Sequence, residues 1–373
     1  MATLKKNNNR DTAFMNMALR LAKRGLGRVA PNPAVGCVIV KDGHVVGRGW
    51  TQVGGRPHAE VVALAQAEEN AVGATAYVTL EPCSHHGKTP PCCDSLIRAG
   101  IKRVVSALQD PDERVNGHGI EKLRDAGIEV TEGVCESEAI EANLGFIYSK
   151  TIDRPLVTLK MATSVDGKIA TRTGSSQWIT GPLARQYGHV LRAQNDAILI
   201  GTGTALADDP SLTCRVVGLE QYSPIRVIAD SRLRLPLTSA LVKTANDIPV
   251  WIVTVPGNNS DRVAAFEALG VKIIEVEPAE TGLPDMKLAL NALATQGITR
   301  LLVEGGSHLQ ASLLKEGLVD RLMWFQAGKL IGGDGIPALQ SIGLKDVASA
   351  PALELMETRQ LGDDLLESYL LRN

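Results

Sequence analysis

Between His58 and Cys93 the chain reads HAEVVALAQAEENAVGATAYVTLEPCSHHGKTPPCC, and any fold must bring the ends of three elements together there. Apolar residues at a 3.6-residue period predict a helix from His58 to about Asn70. ATAYVTLEP predicts a strand, and PPCCDSLIRAG a helix opening near Cys92. His58 and Cys92 then lie in the first turns of two helices, and Cys83 at the end of a strand. Imidazole and thiolate are ligands zinc prefers, and three protein ligands leave its fourth tetrahedral position to water. A helix N-terminus also favours the thiolate form of Cys92. Glu60 is a carboxylate placed to move protons, as a hydrolytic zinc site requires. Two residues span about 200° of a helix, so the helix end must let His58 and Glu60 turn to one point. Spacing alone leaves His85 and His86 as rivals to His58. It also leaves Cys93 as a rival to Cys92, or as the fourth ligand of a purely structural site.

Composition sets the surroundings of that stretch. A chain of 373 residues exceeds one ordinary core, so two domains are expected. Hydrophobic content of 44% and mean hydropathy of +0.02 suit a soluble globular protein. With only 3% aromatic residues, the cores must be built from Val, Leu, Ile and Ala. A net charge of −2 and a pI near 6.4 offer no basic excess for phosphate neutralisation, which argues against a nucleic-acid partner. No apolar run is long enough to span a membrane. MATLKKNNNR leads into Asp11 rather than an apolar segment, so it reads as a frayed tail and not a signal peptide. The six cysteines form no disulfide framework. The expectation is a reduced, cytoplasmic protein in which Cys37, Cys135 and Cys214 are buried thiols.

In chain order, Asp11 is placed to cap a helix carrying Phe14, Met17, Ala18, Leu21 and Ala22. PNPAVGCVIVKDGHVVGRGW follows as a hairpin turning at Lys41-Asp42-Gly43, with Asn32 held in an extended loop by Pro31 and Pro33. Beyond the zinc stretch, strands KRVVSALQD and IEV flank the helix GIEKLRDAG. A helix around Glu138–Phe146 then leads to SKTIDRP, whose charge and proline mark a boundary between domains 1–150 and 151–373. The second half sets strands PLVTLKMATSVDGKIA, DAILIGTGTALADDP, PIRVIADS, PVWIVTV, VKIIEVE and ITRLLVEGG among helices PLARQYGHVLRAQ, SDRVAAFEALG, MKLALNALATQG and SHLQASLLKEGL. It closes on strand-like DRLMWFQAGKL and DDLLESYLL. Such alternation with mostly apolar strands predicts α/β sheets with helices on their faces. VEGGSH, a glycine turn between strand and helix, is a place where backbone N–H groups can meet a pyrophosphate.

The order His-x-Glu, then Pro-Cys and a further Cys, resembles the zinc nucleobase deaminases, except that eight residues rather than two separate Cys83 from Cys92. That longer loop, with PNPAVGCVIVKDG, HAEVVAL, LEPCSHHGKTPPCC, SQWITGP and ADDPSLT, resembles the bifunctional deaminase/reductases of riboflavin biosynthesis over nearly the whole chain. The resemblance implies a cytidine-deaminase-like three-layer α/β/α domain and a dihydrofolate-reductase-like α/β domain. It implies zinc-dependent deamination of 2,5-diamino-6-(5-phosphoribosylamino)pyrimidin-4(3H)-one. NADPH-dependent reduction of the ribosyl side chain of 5-amino-6-(5-phosphoribosylamino)uracil to ribityl then follows.

By the same resemblance His58, Cys83 and Cys92 hold one Zn2+, Glu60 carries the proton, and Asn32, Lys88 and Asp110 meet the deaminase substrate. NADPH would lie along Ala162, Trp178, Thr204, Asp208, Ser231, Gly306, Ser307, His308 and Leu309. Ser231 and Arg232 would face the 2′-phosphate that separates NADP from NAD sites. Ser176, Arg192, Leu212, Arg215 and Glu304 would hold the reductase substrate, where paired guanidinium groups suit a phosphate. Lys160 and Asp166 are further candidates, and a homodimer through the reductase domain is implied. Two positions depart from the family pattern. Thr51 stands where GxGxH has histidine, and Asp112-Glu113 where DPNP has Asn-Pro. Neither touches the metal ligands; both touch pyrimidine and phosphate contacts, for which Arg56 and His85 are the candidate replacements.

Two other readings use the same residues. One is a nucleic-acid base deaminase with an appended binding domain, disfavoured by the acidic balance, the few aromatic residues for base stacking and ADDPSLT. The other is a zinc-stabilised protein without catalysis, disfavoured by Glu60 and by the basic, histidine-containing loop SHHGKTPP.

Overall fold

Asp42 and Gly43 sit at positive φ, 50° and 80°, as a tight hairpin turn requires. They fold β1 (Gly36–Lys41) antiparallel onto β2 (His44–Trp50). The structure is a computed structural model describing residues 2–87 and 89–372, with the backbone alone for 2–8. Its chain divides into two units, Met1–Asp153 and Arg154–Asn373.

In the first unit β1 also pairs antiparallel with β3 (Thr75–Val78), while β4 (Arg103–Ser106) and β5 (Glu129–Thr131) continue in parallel. The order is β2-β1-β3-β4-β5. The helices are α1 (Ala2–Ala22), α2 (Ala59–Ala67), α3 (Cys92–Arg98), α4 (His118–Asp125) and α5 (Glu136–Thr151). One core joins Ala59, Ala63, Cys93, Leu96 and Leu123 to the sheet, and another joins Met15, Ala18, Leu19 and Ala139 to it. Helices thus cover both faces, in three layers.

Small residues set the spacing of the first face. Ala59, Ala63 and Ala67 recur every four residues on α2 and so share one stripe. A Cβ at Gly47 or Gly49 of β2 would run into the carbonyl oxygens of Ala63 or Ala59. Glycine against alanine therefore lets α2 lie directly on the hairpin, which sets the height of His58 and Glu60.

The second unit contains β6 (Leu156–Ser164), β7 (Lys168–Ala170), β8 (Ala197–Gly201), β9 (Ile225–Ala229), β10 (Val250–Thr254) and β11 (Val271–Glu275). It continues with β12 (Arg300–Glu304), β13 (Arg321–Ala327), β14 (Ile336–Pro337), β15 (Ala352–Leu361) and β16 (Asp364–Arg372). Its helices are α6 (Pro182–Ala193), α7 (Thr202–Asp208), α8 (Ala240–Lys243), α9 (Ser260–Ala268), α10 (Met286–Thr295) and α11 (Ser307–Lys315). The sheet order is β11-β10-β9-β8-β12-β6-β13-β16-β15, with β14 pairing β7 apart from it. It is parallel from β11 to β13 and antiparallel beyond. Separate apolar clusters line its two faces, so its inner strands read as unbroken apolar runs.

Several local expectations are corrected. The helix α1 begins at Ala2, so residues 2–10 belong to a helix rather than a tail, Met1 lies outside the described residues, and Asp11 is no cap. Asp11 is buried within that helix and accepts from Tyr77 Oη at 2.8 Å and from both terminal nitrogens of Arg103 at 3.0 and 2.8 Å. Its oxygens are spent on that ion pair. SKT, placed with the domain boundary in SKTIDRP, is the last turn of α5, carried there by buried Ala142, Asn143 and Phe146. TGTALAD is helix α7 rather than strand: Gly201 caps it, and the Thr202 hydroxyl donates to the Ala229 carbonyl at 2.7 Å. Strand β15 had no counterpart in the sequence reading, because Leu353, Leu355 and Met356 are exposed and leave no core-facing period. Cys37 and Cys214 are buried, but Cys135 is half-buried at the start of α5.

Candidate active sites

The members of the candidate metal centre come from two helix starts and the loop that precedes the second of them. His58 is the extended residue just before α2, and Glu60 lies in the first turn of that helix, buried. Because His58 stands outside the helix, the 200° separation no longer applies. Cys83 lies in the loop beyond β3, not at the strand end. Cys92 opens α3, and its backbone N–H donates to Cys83 Sγ at 3.3 Å. His58 Nδ1 is 3.3 Å from Cys92 Sγ and 3.7 Å from Cys83 Sγ, and all three ligand atoms lie within 4.8 Å of one another. Zinc bonds of about 2.3 Å to sulfur and 2.0 Å to nitrogen at tetrahedral angles hold ligand atoms about 3.5 Å apart. The trio fits that ion. Cys93 points elsewhere, its thiol donating to the Pro82 and Gly119 carbonyls at 3.1 and 3.4 Å. His85 and His86 line the adjoining cavity but are not among the trio.

The electrostatics of the trio are mutual. A hydrogen bond from the Cys92 thiol, helped by His58 and the Cys92 N–H against burial, brings Cys83 down to about 4. The same contact, with burial, pushes Cys92 up. Burial raises Glu60 to about 7, reinforced by the Cys83 thiolate and opposed by His58. A carboxyl near neutrality both takes and returns protons efficiently at physiological pH.

Sequence reasoning missed Glu81. Its buried carboxylate accepts from the backbone N–H groups of Asp110 (3.2 Å), Gly117 (2.9 Å), Gly119 (2.8 Å) and Ile120 (3.2 Å). It thereby ties the Cys83 loop to the start of α4. Its position beside Pro82-Cys83 was a signal; its four donors lie far off in sequence.

A cavity of ≈ 520 Å³ opens over His58 and Cys83, lined among others by Asn32, Thr51, Arg56, Glu60, Asp110 and Asp112. Asn32 packs over Gly55, where positive φ and the missing Cβ admit its amide. Asp110 is buried, and that burial, with the charges of Asp112 and Glu81, raises it to about 6. Lys88 lies outside the described residues. Thr51 bonds the Val35 N–H at 3.0 Å and so braces the entry to β1. Arg56 donates to Thr89 at 2.5 Å.

The second unit gathers its candidates where its chain order reverses. β8 leads outward through β9, β10 and β11, whereas β12 and β6 lie on its other side. The ends of β8 and β12 thus flank a switch point, the usual place for a ligand in an open α/β sheet. Gly305 and Gly306 have φ of 76° and 82° and abut Thr204 of α7, and Gly201 faces Leu309. Ser307 opens α11 with its hydroxyl accepting from Gln340 at 3.2 Å, and His308 is exposed beside it. Glycines at positive φ before a helix N-terminus leave N–H groups free for phosphate, a donor set that fits a dinucleotide.

Glu304, buried at the end of β12, takes both bonds of the Arg192 guanidinium at 2.8 and 2.9 Å, with Lys160 at 3.6 Å. Burial pushes Glu304 up, but Arg192 and Lys160 outweigh it and hold it at about 2. Ala162 lies two residues beyond Lys160 on β6, and buried Ser231 and exposed Arg232 follow β9. Leu212 is buried and Arg215 exposed on one loop, and Asp208 is exposed at the end of α7. Trp178 is 59% exposed under the Arg185 guanidinium, with exposed Ser176 two residues before it. Asp166 is spent on structure, accepting from Ser164 and from the Ile331 and Gly332 N–H groups.

Two family models match the chain: "Cytidine and deoxycytidylate deaminase zinc-binding region" over residues 8–108 and "RibD C-terminal domain" over residues 155–366. The chain is 43% identical over 356 residues to the riboflavin biosynthesis protein RibD of Aquifex aeolicus (strain VF5), covering 95% of this chain and 97% of that one. Among solved structures, Acinetobacter baumannii RibD, form 1, matches with a TM-score of 0.88 at 38% identity, over 98% of this chain and 100% of that one. The diaminohydroxyphosphoribosylaminopyrimidine deaminase/5-amino-6-(5-phosphoribosylamino)uracil reductase of Thermotoga maritima matches at 0.85 and 36%, with the same coverage.

Proposed function

Since this chain belongs to the RibD family of riboflavin-biosynthesis proteins, we propose that residues 1–150 carry its deaminase site and residues 151–373 its reductase site. It is a bifunctional enzyme. Hydrolytic deamination of 2,5-diamino-6-(5-phosphoribosylamino)pyrimidin-4(3H)-one precedes reduction of the ribosyl side chain of 5-amino-6-(5-phosphoribosylamino)uracil to ribityl. The observation that carries the first step is a His-Cys-Cys trio within 4.8 Å, beside buried Glu60, at a cavity.

His58, Cys83 and Cys92 would hold a zinc ion, which would supply the Lewis acidity that makes water a nucleophile at neutral pH. Glu60 takes the proton of that water and returns it to the departing amine. Asn32, Lys88 and Asp110 orient the pyrimidine ribotide.

Gly306, Ser307, His308 and Leu309 at the start of α11, with Ala162, Trp178, Thr204 and Asp208, would hold NADPH, which would supply the hydride. Ser231 and Arg232 would meet its 2′-phosphate. Arg192 is fixed by Glu304 and, with Arg215, Ser176 and Leu212, positions the ribosyl phosphate group. The protein acts on a small molecule rather than nucleic acid, in the cytoplasm, as a homodimer through its second unit.

Purified protein given zinc, NADPH and the diaminopyrimidine ribotide should release ammonia and oxidise NADPH. Glu60→Gln should lower deamination about 10²–10⁴-fold, with zinc content and reduction of supplied intermediate kept. Failure to release ammonia from the ribotide contradicts the reading.

A further inference from the structure

The loop between β4 and α4 departs from the family pattern at Asp112-Glu113, and the structure shows what accompanies that change. Asp112 is buried. Arg114 Nε donates to its Oδ1 at 2.8 Å and Arg114 Nη2 to its Oδ2 at 2.6 Å, while Lys150 Nζ, from the last turn of α5, stands 3.2 Å from Oδ2. The Asp112 carboxylate thus faces two cations at once, and Asp110, whose charge Arg114 also feels, stands on the inner side of the same loop. An amide at 112 could not aim both.

Three features separate this cluster from an ordinary surface ion pair. Asp112, Arg114 and Lys150 all line the cavity that also reaches Glu60 and two of the metal ligands, His58 and Cys83. Their support is rigid, since the Asp112 N–H donates to Asp110 Oδ1 at 2.9 Å and Glu81 anchors the same loop. Exposure also grades outward, from buried Glu60 to side chains 34% exposed at Lys150 and 65% at Arg114. A guanidinium has five N–H donors and an ammonium three, so both keep donors beyond those given to Asp112. Paired cations of this kind suit phosphate oxygens. The most strongly hydrated part of a ribotide belongs at the cavity mouth and its ring at the metal.

We propose that Arg114 and Lys150, aimed by Asp112, form an anion subsite of the deaminase cavity that takes the phosphate of the ribotide. The assignment rests on the deaminase reading above. It predicts discrimination between the ribotide and its dephosphorylated riboside, measured as ammonia release by the full-length, zinc-loaded enzyme. In Arg114→Leu and Lys150→Met the ribotide-over-riboside ratio of kcat/KM should fall about tenfold or more, the worth of one charge-assisted hydrogen bond. The loss should appear in the ribotide KM, and Lys150→Arg should restore most of the ratio. An unchanged ratio, or equal losses on both substrates, overturns the subsite.

A turnover-free readout separates this from the parent reading. Ribose 5-phosphate binding is measured by calorimetry in an Arg192→Ala, Arg215→Ala background, which silences the other phosphate-matching cluster. Binding that Lys150→Met abolishes supports the subsite even if no ammonia is released, in which case the deaminase reading alone fails. Binding unaffected by both Arg114→Leu and Lys150→Met, or no binding before them, overturns the subsite.

Discussion

Cys92 and Cys93 are chemically identical neighbours whose sulfurs meet different surroundings. Cys92 faces His58 and Cys83, whereas Cys93 faces the carbonyls of Pro82 and Gly119. Cys92→Ser should therefore lose zinc on dialysis, by metal analysis. Cys93→Ala should keep the metal and cost about 1 kcal/mol of stability in a denaturant titration, the worth of an ordinary hydrogen bond. Zinc loss from the Cys93 variant with retention in the Cys92 variant would reverse the assignment. Glu304 adds a pH dependence of its own. Its folded pKa, about 2, lies below its ordinary 4.5, so its stabilisation is complete above 4.5 and disappears as pH falls through 2. Urea midpoints of the second unit should fall over that window in the parent protein, and Glu304→Gln should flatten the slope there. An identical slope in both would show that Arg192 and Lys160 do not hold the carboxylate.

The site stands where it does because of how elements meet. α2 rests on β2 only because Gly47 and Gly49 have no Cβ where Ala63 and Ala59 approach. Gly49→Ala should push the helix off the hairpin at a cost of about 1–3 kcal/mol, as overpacking usually does. Since His58 precedes that helix, zinc affinity should weaken as well. Titration with a chromogenic chelator reads the second effect and denaturant the first; loss of stability with zinc affinity untouched would detach the packing from the metal centre. In the second unit the parallel register that pairs Glu304 with Lys160 is the element-scale cause of the ion-pair cluster.

Each unit has its own buried clusters, with the first unit's residues in one pair and the second unit's in another. Ligands that bind only the folded form stabilise the unit that holds them. Calorimetry should resolve two transitions. A chelator should lower that of the first unit, and NADPH should raise that of the second by about 2.7 kcal/mol at 100 times its Kd. A single transition moved by both additions would contradict separate folding of the units.

Much of this was legible in order along the chain. The hairpin at Asp42-Gly43, the helix after His58, the helix at Cys92 and the parallel strands of the second half follow from local periods and turn residues, which are properties of short segments. The zinc-type residue set was visible for the same reason. The mistakes arose where a distant partner decided the outcome. Asp11 has the chemistry of a cap but is claimed by Arg103, ninety-two positions away; TGTALAD alternates like a strand but is turned into helix by Gly201 and the Ala229 carbonyl. Strand β15 shows no apolar period because its pairing with β16, not a buried face, makes it a strand. Sequence by itself determined which residues could bind a metal, a phosphate or a dinucleotide, because that is the chemistry of single side chains. Only the tertiary structure decided which cysteine faces His58, that Glu81 holds the loop, and that Asp112 gathers Arg114 and Lys150. Direction and distance between residues far apart in the chain are set by packing.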